Sequence, residues 1–201
     1  IHFLALAEAY KNEQDASVWS DLAVNLRGLE ALLVDEPYLP QFHTFARGLF
    51  KSVVRDVGWD ARPGEGHLGA LLRSTVLSQS GAYRDPEILE EANARFTRFR
   101  EDQTALHPDL RGIVFGLVAQ EGDRTTYDTL WELEKNTTLH EEKMRFLGAL
   151  TRFRLPELLQ ETLDRSLTDD VRVQDTVLVV NAVAGNRYGR DLAWEFVKAN
   201  W

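Results

Sequence analysis

Apolar residues recur at steps of three and four along the first third of the chain. This spacing predicts amphipathic helices over 16–34 and 41–57, because residues so spaced share one helix face. Gly58 is a predicted helix stop, and the glycine- and proline-rich stretch 58–66 is a predicted loop. The periodicity resumes at 67–79, which we expect to be the next helix.

From residue 85 onwards, helix-start signals follow one another regularly. They are Asp85-Pro86, His107-Pro108, Asp123, Thr138 with Glu141 as a capping box, Leu155-Pro156, and positions near Arg172 and Tyr188. From His107 on, these starts are 15 to 17 residues apart. Two helices then form a unit of about 33 residues, the size of a helical-hairpin repeat. We therefore predict an all-α protein, an α-α superhelix or solenoid of antiparallel helix pairs of the HEAT/armadillo kind, with 1–201 as a single domain and ten to twelve helices.

Residues 171–180 are rich in valine, so this segment also fits a β-strand. No second strand candidate exists to pair with it, and an isolated strand is not viable. We interpret the segment as a buried helix. The face that we expect to be buried is Val173, Val177, Val180 and Ala184.

The composition excludes several classes of function. The 201 residues carry a net charge of −9 and include no cysteine. Disulfides, zinc–thiolate sites and a cysteine nucleophile are therefore excluded, and a reducing, cytoplasmic location fits. No apolar run approaches the ~20 residues that span a bilayer, so we expect no membrane partner.

Bases and aromatics alternate over residues 95–100, a pattern found both in nucleic-acid-binding segments and in amphipathic helices. Phe96 and Phe99 lie one turn apart and can both face a core while the arginines face water. Because the chain is acidic, we favour the amphipathic helix and expect no nucleic-acid partner.

Two stretches resemble cofactor motifs only in part. The segment that begins at His140-Glu141 has Met144 where a zinc-protease helix needs its second histidine. Gly64, Gly66 and Gly69 match a dinucleotide fingerprint, but no strand surrounds them. The five histidines are scattered, so each is expected to cap a helix, lie on the surface or be paired in the core. We therefore expect no catalytic residue, no metal site and no cofactor in this segment.

Several motifs, in order, resemble a known family. Arg172-Val-Gln174-Asp175 is followed by Gly189-Arg-Asp-Leu-Ala193-Trp194-Glu-Phe196 and by Asn200-Trp201, and the loop from Gly58 to His67 precedes them. Together with Asp109-Leu-Arg111 and Glu141-Glu142-Lys143, these residues resemble the C-terminal domain of a puromycin-sensitive-type zinc aminopeptidase.

The resemblance implies a helical domain that closes over a separate catalytic domain and helps to form a chamber for peptides. The partners would be the catalytic domain of the same polypeptide and peptide substrates. Zinc would lie in that catalytic domain, because this chain has no counterpart of the family's zinc helix. The alternative is a free-standing helical-repeat module that binds a protein partner.

Three residues are candidates for the substrate-facing surface: Asn181, Arg172 and Gln174. Asn181 is the one polar residue between Val177 and Val183, and a buried amide without partners would be costly. It therefore either pairs within the protein or faces a wet cavity. Arg172 and Gln174 are expected to anchor the helix start more than to bind substrate. Trp194, Phe196 and Val197 are expected to be structural, with Trp194 and Val197 on one buried stripe.

Overall fold

A computed structural model describes residues 2–201, and within them the chain forms eleven α-helices, one short 3-10 helix and no strand. This confirms the all-α class and the expected helix number. The helices are α1 (His2–Ala9), α2 (Ala16–Leu32), α3 (Leu39–Val57), α4 (His67–Ala82), α5 (Pro86–Glu101), α6 (Pro108–Gln120), α7 (Arg124–Asn136), α8 (His140–Leu150), α9 (Pro156–Arg165), α10 (Val173–Gly185) and α11 (Arg190–Asn200), with the 3-10 turn at Gln103–Ala105.

The chain divides into two compact units, one ending at Ala94 and the other comprising Arg95–Trp201. In the first unit, α2, α3 and α4 pack on one another. Their core is aromatic: the rings of Trp19 and Phe50 lie 5.0 Å apart, and Tyr83 meets the ring of Phe42 edge-on. All four side chains are buried.

In the second unit, α6, α7 and α8 pack together, and α9, α10 and α11 form a further set. A row of phenylalanines fills the interior. The ring of Phe115 lies 4.9 Å from Phe99 and 4.7 Å from Phe146. Phe96 and Phe99 are both buried, so the aromatic residues of 95–100 belong to the core, as the amphipathic interpretation predicts.

Helices of the second unit begin at nearly constant spacing. Their first residues lie 16 or 17 apart, at Pro108, Arg124, His140, Pro156, Val173 and Arg190. The connections from α6 to α11 are three to seven residues long, and connections this short join antiparallel neighbours.

Most of the expected caps are present. Asp85, His107 and Asp123 each accept a hydrogen bond from a backbone N–H of the first helical turn. The prediction of a capping box at Thr138 and Glu141 is wrong, because α8 begins at His140, two residues after Thr138. Its cap is Leu139, and the Glu141 carboxylate instead pairs with Arg145 one turn along the helix.

The valine-rich segment is helical, which confirms the helix and excludes the strand. The expected buried face is partly wrong, because Val173 is 89% exposed and Val177 is 57% exposed. The side chains that α10 buries include Val179, Val180 and Val183. An apolar residue at nearly every position gives periodicity no contrast, so the packing of neighbouring helices decides which side is covered.

The terminal helix also differs from expectation at one residue. Trp194 is 61% exposed, so its assignment to a buried stripe is wrong. Ala193 and Phe196 are the buried residues of α11, and Val197 is half-buried. The Lys198 ammonium lies 5.9 Å from the Trp194 ring.

Candidate functional site

The sequence-predicted site residues lie along α10. The helix begins after Arg172, whose guanidinium Nε donates to the Asp175 carboxylate at 2.8 Å. Asp175 is buried in the first turn, where the helix dipole favours an anion. The Thr176 hydroxyl donates to the Ser166 carbonyl at 2.7 Å and ties this turn to the end of α9. Asp175 and Thr176, both in the first turn, therefore fix the start of α10.

Arg172 also reaches a second helix. Its Nη2 lies 2.6 Å from both ring nitrogens of His140, the first residue of α8. The expected anchoring role thus holds for Arg172. It does not hold for Gln174, which is exposed and makes no side-chain hydrogen bond within residues 2–201.

Asn181 lies two turns further along α10 and is exposed. Its amide makes no hydrogen bond to any other part of the described chain, which excludes the interpretation that it is buried and paired between helices. Gln174, Leu178 and Asn181 follow one another at steps of four and three, so they form one strip of the outward face of α10. We call this strip the amide strip.

A second strip of the same face carries Val173 and Val177 and borders an apolar cleft of about 350 Å³. Leu167 and Val171 from the α9–α10 connection and Trp201 complete its apolar lining. Sequence analysis missed this cleft. Leu167 was the available signal, because it is a lone apolar residue within the polar stretch 164–170.

Three of the five histidines make local contacts. His43 Nε2 lies 2.6 Å from the Glu30 carboxylate, His107 caps α6, and His140 contacts Arg172. Within residues 2–201, no group of three or more histidine, aspartate or glutamate side chains is placed to hold a metal ion. The donor set that zinc would require is thus not assembled by these residues. The glycines that match the dinucleotide fingerprint lie in the loop before α4 and in its first turn, and the described part of the chain places no strand beside them.

The fold is that of a helical domain built from short paired helices. The family model of the ERAP1-like C-terminal domain matches residues 1–201, and the chain belongs to this family. The resemblance inferred from the sequence motifs is therefore confirmed at the level of the domain.

Curated relatives carry aminopeptidase names. Aminopeptidase M1 of Arabidopsis thaliana is 33% identical over 98% of this chain, and aminopeptidase M1-A of Oryza sativa subsp. japonica is 32% identical over all of it. Glutamyl aminopeptidase of Bitis rhinoceros is 28% identical over 98% of the chain. The matches cover 23%, 24% and 21% of those proteins, so the chain spans about a quarter of their length.

No helix within residues 2–201 is both long enough and apolar enough to cross a membrane.

Proposed function

We propose that residues 1–201 form a single helical-repeat domain, the non-catalytic C-terminal domain of a zinc metalloaminopeptidase that removes N-terminal residues from peptides. One observation carries this proposal. The family match extends over the whole chain, whereas the chain spans only about a quarter of each aminopeptidase it resembles. The catalytic zinc and its ligands then belong to the remainder of the polypeptide.

In this function the domain encloses the peptide chamber and helps to position substrates. The amide strip is the candidate peptide-facing surface. The exposed amides of Asn181 and Gln174 can each donate to and accept from a peptide backbone. Arg172 acts chiefly as the anchor of α10. Such a surface affects catalysis through the position of the peptide, and misplaced reacting groups can lower rates by about 100-fold.

The proposed partners are the catalytic domain of the same polypeptide and peptide substrates. A net charge of −9 opposes binding to nucleic acid, and we propose neither a nucleic-acid nor a membrane partner. The proposed location is the cytoplasm, which the absence of cysteine fits. Cell fractionation of the complete polypeptide tests the location, and recovery from organelles would contradict it.

The test of the enzyme assignment uses the complete polypeptide in which residues 1–201 are encoded. We expect a His-Glu-x-x-His sequence upstream in the same reading frame, and release of N-terminal residues from short peptides. A complete polypeptide without that sequence and without peptidase activity would instead support the free-standing module. The observation behind this second candidate is the exposed apolar surface of α10, which a separate protein partner could also cover.

Asn181→Ala in the complete polypeptide tests the amide strip. We expect a rise in KM or a changed order of preference among peptides of different length, because the substitution removes a hydrogen bond worth about 1 kcal/mol. The matched control is Asn25→Ala, since Asn25 is also an exposed helical asparagine and lies on α2. Unaltered kinetics for all peptides would contradict the role of Asn181.

A further inference from the structure

The second strip of α10 exposes apolar side chains that a helix start does not require. Val173 is 89% exposed, Val177 is 57% exposed, and Trp201, across the cleft, is 66% exposed. Leu167 is 50% exposed, and the buried side chain of Val171 completes the apolar lining of the cleft. We call these five residues the α10 apolar surface. Contiguous apolar patches with a pocket are typical of interaction sites, whereas single exposed apolar residues are ordinary.

The polar side chains that line the cleft already donate hydrogen bonds to backbone carbonyls of the same chain. The hydroxyls of Ser166, Thr168 and Thr176 donate to the carbonyls of Leu163, Arg165 and Ser166 at 2.7, 2.8 and 2.7 Å.

The remaining polar side chain, Asn200, donates from its amide to the Phe196 carbonyl at 2.8 Å. Among residues 2–201, none of those that line the cleft has a charged side chain. The donor groups of the lining side chains are therefore already used within the protein, which favours an apolar side chain over a ligand that needs hydrogen-bond donors.

We infer that the α10 apolar surface is an interdomain contact. It is covered by the part of the same polypeptide that lies outside residues 1–201, which places an apolar side chain in the cleft. This inference rests on the proposed function, because about three quarters of each related aminopeptidase lies outside the matched region. In this arrangement Val173 and Val177, on the second strip of α10, hold the domain against the rest of the polypeptide. The amide strip lies beside that contact and faces the peptide.

The size of the surface favours a tethered partner over a second copy of the chain. Stable interfaces between separate proteins use about 20–30 residues on each side. Five residues fall well below that number. A partner in the same polypeptide needs less contact area, because its effective concentration is on the order of millimolar.

Thiol labelling of the complete, native polypeptide tests the contact without disturbing the fold. Val177→Cys is compared with Val24→Cys, because Val24 is a helical valine of almost equal exposure, 55%, on α2. Residues 1–201 contain no other cysteine, and mass spectrometry of the peptide at each position reads the labelling. We expect the thiol introduced by Val177→Cys to react at least about tenfold more slowly than the thiol introduced by Val24→Cys, and equally fast after denaturation.

Each outcome decides the inference. Equal native rates would overturn it, and so would protection at residue 177 that disappears on dilution, because that behaviour indicates a second copy. Dilution-independent protection supports it. Peptidase activity is measured on the same samples: activity without protection refutes the interdomain contact alone, whereas protection without activity refutes the enzyme assignment alone.

Discussion

Two arginines, one in each compact unit, hold the start of a helix in different ways. Arg73 of α4 is buried and forms a two-point pair with Glu65, at 2.6 and 2.5 Å, and it also donates to the carbonyls of Val57 and Gly58 at 3.2 and 3.1 Å. Arg172 has a half-exposed side chain, donates one hydrogen bond to Asp175 and contacts the exposed His140 ring at the start of α8. The first arginine ties the loop before α4 to the end of α3, whereas the second lies beside a surface that residues 2–201 leave exposed.

The loop that Arg73 closes needs this support because of its backbone. Gly58 ends α3 at φ 62°, a left-handed conformation that favours glycine, and the chain then runs through Gly64 at φ 78°. Arg73 satisfies two carbonyls at the end of α3 and holds Glu65, just before α4. We therefore attribute a structural role to the Gly58–His67 motif.

Of the two arginine substitutions, Arg73→Met should have much the larger effect on stability. The substitution keeps most of the aliphatic stem and removes a buried charge with four hydrogen bonds, so we expect a loss of about 3 kcal/mol in the free energy of unfolding. Arg172→Met should cost less than about 1 kcal/mol, because the pair is partly solvated and Asp175 keeps the favourable helix start. Urea denaturation of the two variants measures the difference. Equal losses would show that the two arginines are equivalent.

The second expected effect is a loss of folding stability at low pH. Hydrogen bonds from Arg73 and from the Arg62 N–H lower the pKa of Glu65 from 4.5 to about 2. Because the folded-state pKa lies below the unfolded one, the stabilisation is complete above pH 4.5 and is lost as the pH falls toward 2.

Glu65→Gln isolates this contribution. The difference in Tm between wild type and variant should be constant above pH 4.5 and should shrink between pH 4.5 and 2. The same substitution in the Arg73→Met background should give no such trend, because the main hydrogen-bond donor is absent. A difference in Tm that is independent of pH would contradict the assignment.

The contrast between the arginines also explains what the sequence could predict. Helix starts could be predicted from the sequence because Asp85, His107 and Asp123 bond to backbone N–H groups only two or three residues further along the chain. The Arg73–Glu65 pair was not, because eight residues and a loop separate its members and no periodicity connects them. On α10, the exposure of Asn181 depends on the neighbouring helices, which cover Val179, Val180 and Val183 on the other side. The sequence of α10 alone does not indicate which side they cover. Local signals thus located the helices, and tertiary packing chose their faces.

The smallest expected change in stability is that of a substitution at Trp194, which tests whether this side chain of the C-terminal helix is exposed. A large aromatic residue is usually assigned to the core, but this ring lies mostly in solvent on α11. Trp194→Ala should therefore change the free energy of unfolding of the chain by less than about 0.5 kcal/mol. Phe196→Ala, two residues further along the same helix, is the matched control. Phe196 is buried and packs against the Trp201 ring, so its loss should cost about 3–5 kcal/mol. Denaturation midpoints of the two variants measure both values, and a Trp194→Ala loss as large as that of Phe196→Ala would place Trp194 in the core after all.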